Sequence, residues 1–347
     1  MQIPFASLKA ETEFPAPSKP RWVSIADQVY FPGVDALQPI DLKPTGKMQN
    51  EPKLAAPIPG VKQPCGGAIS AFSHLWVPSC GENALVKYKT NPISKPEPPK
   101  PDGAKPQSPK PESPKPEGAK PETPKPEAPK TEAKAEPKPP EVVARLTLGE
   151  FGAQPALASS DDSIWVLADR KTSLYRIDPE TVEVVAEIRL PAACSAILAA
   201  EKALWVACPD SDRVLRIDPR TNLVEKSIKL TAPRSLAFGE GSLWVYCQKE
   251  GTVERIDPKT NKSTKSISLA TPGLAGEIAF GEGALWVTSP GFPLTRIDPK
   301  DEKVVQQFYG EGGGAIAVGQ GWIWLANVDA GTLWKIDPKR VLATLAE

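Results

Sequence analysis

Apolar and polar residues alternate along most of this chain in short runs. The clearest stretch, Arg234 to Leu269, reads RSLAFGEG, SLWVYCQ, TVERIDP and KSTKSISL. Each run repeats with a period of two, the pattern of a half-buried β-strand. Between the first two runs sits GEG, whose glycines suit the positive φ of a tight hairpin. Between the third and fourth sits an Asp-Pro turn, which recurs as IDPET, IDPRT, IDPKT, IDPKD and IDPKR from Ile177, Ile217, Ile256, Ile297 and Ile336. Proline presets φ at the second turn position, and the aspartate caps the turn it opens. Each unit therefore predicts four antiparallel strands, and no repeat carries helical periodicity.

The second run of every unit holds a tryptophan. The copies are HLWV from His74, SIWV from Ser163, ALWV from Ala203, SLWV from Ser242, ALWV from Ala284 and WIWL from Trp322, and QVYF from Gln28 puts Tyr30 in the same slot. From Trp165 through Trp205, Trp244 and Trp286 to Trp324 the spacings are 40, 39, 42 and 38 residues. A period near 40 marks a repeat architecture in which no unit buries its apolar face alone. Seven such units predict an all-β, seven-bladed β-propeller of four-stranded antiparallel blades. The tryptophans are expected to fill the wedges between blades, and the Asp-Pro turns to recur for geometry rather than chemistry. Ring closure is open, because Phe5–Phe14 and Arg340–Glu347 both read as the one missing fourth strand.

One stretch breaks the pattern. From Lys95 to Pro140 lysine recurs every five residues as far as Lys130, in units such as KPESP and KPETP, with 16 prolines and no aromatic residue. This composition cannot bury a core and favours extended polyproline II. LVKYKTNP before it and EVVARLTL after it match, when joined, the third and fourth strands of a sister unit, LYRIDPETVEVVAEIRL. The chain thus divides into 1–94, holding blade 1 and most of blade 2; 95–140, a disordered insertion in one hairpin loop; and 141–347, the rest of the same propeller. Stretching that loop from about 4 to about 50 residues costs only about 2 kcal/mol of closure entropy. An out-and-back excursion would reach about 70 Å. The Lys-Pro-Glu repeats resemble the periplasm-spanning segments of energy-coupling envelope proteins, which implies contact with a cell-wall or envelope component; the plain alternative is a solvated tether.

Composition narrows the function classes. With 42 basic and 42 acidic residues the chain shows no electrostatic footprint for nucleic acid or an anionic membrane. No apolar stretch reaches transmembrane length, and MQIPFASLKAETEF lacks the apolar run of a signal peptide. Aligning units on LWV places Cys65 and Cys194 each ten residues before the motif leucine, with Cys80 and Cys208 just after the motif. The pairs Cys65–Cys80 and Cys194–Cys208 then face each other across the first and second strands, where disulfides fit. Metal binding is the rival, but the spacing has no CxxC clamp. Disulfides point to the periplasm or the exterior. Cys247 stands at the Cys208 position one unit later, either as a free thiol or as another partner for Cys208.

The stretch PCGGAISAFSHLWVPSCGENALVKY, together with repeated ALWV and RIDPKT units, resembles bacterial propellers of the virginiamycin B lyase and YVTN-repeat class. The resemblance spans nearly the whole chain outside Lys95–Pro140, and it implies the propeller fold. Lyases of that class open a cyclic depsipeptide by elimination, using a metal ion and a site with two histidines and a glutamate. This chain's single histidine, His74, lies in a first-to-second-strand turn, on the face opposite such a site. The resemblance therefore does not carry the activity across.

Loops joining the second to third and the fourth to first strands share one face of a propeller, and loops on a rigid scaffold are the usual place for recognition. That face is expected to carry Asp35, Glu82, Asp169, Arg170, Asp210, Asp212, Arg213, Lys249, Phe292 and Asp329, with Lys171 among them and Trp22 and Phe151 as its few other aromatics. Asp and Gly also suit turns, so a purely structural role competes. No serine, cysteine or lysine has a credible base beside it. No cofactor is predicted outright; a hard cation, Ca²⁺ or Mg²⁺, is the one that ring-facing carboxylates would hold. The expectation is a monomeric, non-catalytic binding or scaffolding module that takes a protein or small polar ligand on this face. The alternative is a metal-assisted carbon–oxygen lyase.

Overall fold

The alternating runs become strands almost residue for residue. A computed structural model describes residues 2–16, 18–42, 52–89, 140–152, 155–273 and 275–343. Among these, the strands form seven sheets, each with four antiparallel strands, which in blades 1 to 6 pair in chain order. Blade 4 is typical: Ala196–Ala200, Ala203–Cys208, Arg213–Asp218 and Leu223–Lys229. The first strands of successive blades touch one another and line the axis, while the fourth strands form the exposed rim. In blades 3 to 6 the third-to-fourth pairing slips by one residue at the same place, after the arginine of the RID motif. That repeated bulge sharpens the twist of each outer hairpin.

All six motif tryptophans are at most 1 % exposed, and Tyr30 matches them. Each packs forward into the next blade: Trp205 with Leu243 and Val245, Trp286 with Ile323 and Leu325, Tyr30 with Leu75 and Val77. The wedge role expected of them is therefore the one they have. The GEG hairpins are subtler. Glu240 and Gly241 both adopt positive φ, 50° and 67°, but Gly239 does not. A Cβ on Gly239 would stand 2.2 Å from the Phe280 ring of the next blade. The first glycine serves packing between blades, and only the second serves the turn.

The Asp-Pro turns are capped as expected. Asp178, Asp218, Asp257, Asp298 and Asp337 each accept from the backbone N–H two residues on, all at 2.8 Å.

The amino terminus closes the ring. Thr12–Pro15 pairs antiparallel with Thr332–Ile336 as the fourth strand of blade 7, and Gln2–Pro4 adds a parallel fifth strand to Lys303–Tyr309 of blade 6. The carboxy-terminal segment, read as a possible strand, instead forms a helix over Pro338–Ala343. Asp337 caps it with Pro338 as its first residue, the usual chemistry of a helix start. Arg340 then ion-pairs with Glu11 at 2.6 Å, tying the two ends together.

In blade 2, Lys89 pairs with Glu141, so residues 90–139 interrupt one hairpin, as expected. The extended, disordered character predicted for that stretch falls, through Pro139, outside the described residues. Both disulfides form, Cys65–Cys80 and Cys194–Cys208, and Cys247 is a buried free thiol. No helix among the described residues is long and apolar enough to cross a membrane.

Candidate functional site at the axial mouth

Aligned on the tryptophan motif, the residues nine and eight before its apolar leader open the first strand of each blade. In blades 2, 3 and 4 they are Gly66-Gly67, Pro155-Ala156 and Ser195-Ala196; in blades 5 and 6 they are Arg234-Ser235 and Gly276-Glu277. Closing together round the axis, all of them but Gly67 line a cavity of about 200 Å³ on the loop face, completed by Trp22 and Lys171. Small residues set the wall on one side, and two blades replace them with charges. The wall is close-set: a Cβ on Gly66, at φ +71°, would fall 1.7 Å from the Pro155 carbonyl oxygen.

Arg234 spans two blades. Its Nε donates to the Gly276 carbonyl at 3.0 Å and its Nη1 to Gln248 Oε1 at 3.4 Å. No carboxylate among the described residues ion-pairs with it or with Lys171. Glu277, half-buried, accepts from Ile316 N–H of blade 7 at 3.1 Å. Desolvation pushes its carboxyl up to about 7, against the opposing pull of that N–H and of Arg234. Burial, aided by the nearby Arg234 charge, draws the Lys171 ammonium below its usual value. Opposite displacements of neighbouring acids and bases mark a site built at an electrostatic cost.

Local structure holds each group. Lys171 sits in the left-handed region at φ 72°, and its carbonyl accepts from Cys194 N–H at 3.0 Å. The Cys194–Cys208 disulfide therefore anchors the loop that presents it. Ser195 Oγ donates to the Arg234 carbonyl, and Trp22 Nε1 donates to the Pro64 carbonyl at 3.1 Å, leaving the indole ring as apolar wall. No histidine stands here. His74 lies in the turn at the other face, its Nδ1 2.6 Å from the Phe72 carbonyl. Among the described residues, no three His, Cys, Asp or Glu side chains converge as metal ligands would.

None of the ten face residues read from the sequence lines this cavity. Several instead tie neighbouring backbone segments together. Asp35 accepts from Gln63 N–H at 2.9 Å and Asp212 from Ala232 N–H at 2.8 Å. Glu82 ion-pairs with Arg145 at 2.8 Å, Arg170 with Glu150 at 2.9 Å, and Asp169 accepts from Tyr175 at 2.8 Å. Arg213 donates to Ser227 at 2.9 Å, and Phe292 opens the third strand of blade 6 half-buried. Asp210, Lys249 and Asp329 are exposed. Sequence reasoning placed Lys171 and Trp22 on the face but missed Arg234, Glu277 and Ser195. The signal was present in the repeat alignment: charges at a register where sister blades hold Gly, Pro or Ala.

No family model matches the chain, and no curated protein matches it in sequence. Solved structures do. Selenomethionine-substituted virginiamycin B lyase from Staphylococcus aureus is 15 % identical at a TM-score of 0.65, covering 93 % of this chain and 97 % of its own. The Neurospora crassa Pan2 WD40 domain is 10 % identical at 0.62, with 94 % of each chain covered. BamB from Moraxella catarrhalis is 11 % identical at 0.58, covering 91 % of this chain and 82 % of its own. One is an enzyme by name and another a WD40 domain, so what the chain shares with all three is the propeller fold.

Proposed function

We propose that this chain is a non-catalytic recognition module of the periplasm or cell exterior, binding a protein or small polar ligand at the axial mouth of its loop face. The observation that carries this reading is the convergence of Lys171, Arg234 and Glu277 on one cavity, with neither cation ion-paired to a carboxylate among the described residues. Charges desolvated without mutual neutralisation weaken a fold, and a ligand that pairs with them accounts for their presence. The two disulfides support the compartment, since such bonds persist where thiols are oxidised. The test is affinity capture from the envelope fraction of the source organism, read by mass spectrometry. Three baits are compared: the whole chain, the chain lacking 95–139, and Lys171→Met with Arg234→Gln. A partner kept by the deletion and lost by the double variant is expected. A partner lost only with the deletion would move recognition to the Lys-Pro-Glu arm.

A metal-assisted lyase is the second reading, and Glu277 favours it. A carboxyl near 7 is poised for general acid–base work, and Glu277 is the residue of this cavity suited to removing a proton. Against it stands the histidine content: the chain's single histidine, His74, lies at the opposite face. Opening of a cyclic depsipeptide by the intact chain with Mg²⁺, abolished in Glu277→Gln, would establish the lyase.

A further inference from the structure

The cavity has a definite chemical character, which rests on the recognition reading above and sharpens it. Its cations are Arg234, fixed across blades 5 and 6 by bonds to Gly276 and Gln248, and Lys171, fixed through its backbone to Cys194. Its single acid, Glu277, accepts from the Ile316 N–H and feels the Arg234 charge without forming an ion pair with either cation among the described residues. Its apolar wall is the Trp22 ring, 5 % exposed, with its N–H already used. At about 200 Å³ it is smaller than the usual drug-sized pocket, so it suits a small molecule or the end of a chain. We infer that the axial cavity is a carboxylate receptor, in which Arg234 and Lys171 hold the anion and Trp22 covers an apolar substituent beside it.

Glu277 makes this binding depend on pH. The charged and titratable groups about it are Arg234 and Lys171, together with Tyr246, whose ring packs against Gly276 and whose hydroxyl burial keeps protonated. Blade 7 contributes the neutral Ile316 N–H. Below about 7 the Glu277 carboxyl is neutral and its O–H can donate a hydrogen bond to the anion; above it, a carboxylate repels the ligand. If only the neutral form binds, affinity falls about tenfold between pH 6 and pH 8, with proton uptake per ligand rising from about 0.1 at pH 6 to about 0.9 at pH 8.

The test is isothermal titration calorimetry of the whole chain at pH 6 and pH 8. Probes are acetate, benzoate, and one short peptide with either a free or an amidated carboxy terminus. Expected results are saturable binding of benzoate, tighter than acetate, and weakening of about tenfold from pH 6 to pH 8. Arg234→Gln should lower affinity about tenfold or more. Lys171→Met acts in the same direction, and Glu277→Gln retains binding while removing the pH dependence. Melting temperatures of the variants show that each is folded, and Lys171→Met, on a surface loop, serves if Arg234→Gln is not. Binding by the free peptide terminus and not the amide would identify a protein end as the source of the carboxylate; binding by benzoate alone would identify a small molecule. Absence of saturable binding by every carboxylate, or binding indifferent to both cation variants, overturns the inference. If the face still captures a partner in that event, the recognition reading stands and only the carboxylate assignment fails.

Discussion

At the scale of single residues, two sets of carboxylates respond to pH with opposite sign. The turn aspartates Asp178, Asp218, Asp257 and Asp298 lie below the usual carboxylate range, chiefly because backbone N–H groups bond to the anion. Their contribution is present at neutral pH and disappears as acid protonates them. Glu277 is raised to about 7 by desolvation, so the folded state holds a proton that the unfolded chain has released. Stability due to Glu277 is therefore highest below its ordinary value near 4.5 and falls as pH rises towards 7. Glu277→Gln should stabilise the protein by about 2 kcal/mol at pH 8, allowing for solvent in the cavity, and by close to nothing at pH 4.5. Urea unfolding at the two pH values measures this, and an equal gain at both would contradict it. Cys247 gives a second check. Burial, with nearby Glu254 and Glu250, pushes its thiol up to about 12, so the native protein should be inert to a thiol reagent at pH 8. One equivalent should react on unfolding without reductant. The aspartate caps were legible in the sequence because a turn is a local object; the Glu277 shift was not, because desolvation depends on blades 40 residues apart.

At the scale of the elements, the RID motif does more than open a turn. Its arginine lies over the tryptophan of its own blade, Arg176 on Trp165, Arg216 on Trp205 and Arg255 on Trp244, at 5.4 to 5.6 Å from the ring centre. It then reaches the next blade: Arg176 to Asn222 at 3.3 Å, Arg216 to Asn261 at 3.2 Å, Arg255 to Glu302. Lys87 does the same from blade 2, donating to the Pro179 carbonyl at 2.7 Å while lying over Trp76. The blades are thus latched by a cation that packs within its own blade and bonds forward. Arg216→Ala should cost about 1–2 kcal/mol. Arg216→Lys should recover less than half, since an ammonium lacks the planar fork that stacks and bonds together. Thermal unfolding of the two variants would show it, and equal melting of alanine and wild type would remove the latch. The recurrence of Arg was visible in the sequence, but its target was not, because the acceptor lies on the following repeat.

At the scale of the whole molecule, stability depends on closing a ring of repeats that are incomplete alone. The amino-terminal segment supplies the fourth strand of blade 7 and packs Phe5 and Leu8 beside Trp334 and Val341. Removing residues 2–16 takes away that strand and several buried side chains worth about 1.5–3 kcal/mol each, so calorimetry should find melting lowered by about 10 °C or more. Removing 95–139 should leave melting unchanged or slightly higher, because Lys89 and Glu141 are already paired and a short turn closes the loop with less entropy. By itself the sequence determined everything set by local periodicity: strand alternation, the turn chemistry, the blade count, the two cross-strand disulfides and the place of the insertion. Each is fixed within one repeat or by comparing repeats in register. Only the tertiary structure decided which terminus closes the ring, that Pro338–Ala343 is a helix, and which side chains meet at the axis. Two terminal segments with the same pattern compete for a single edge, and only the packing between blades 6 and 7 chooses between them. Likewise, Lys171, Arg234 and Glu277 belong to three different blades, and no local pattern records that the ring brings them to one cavity.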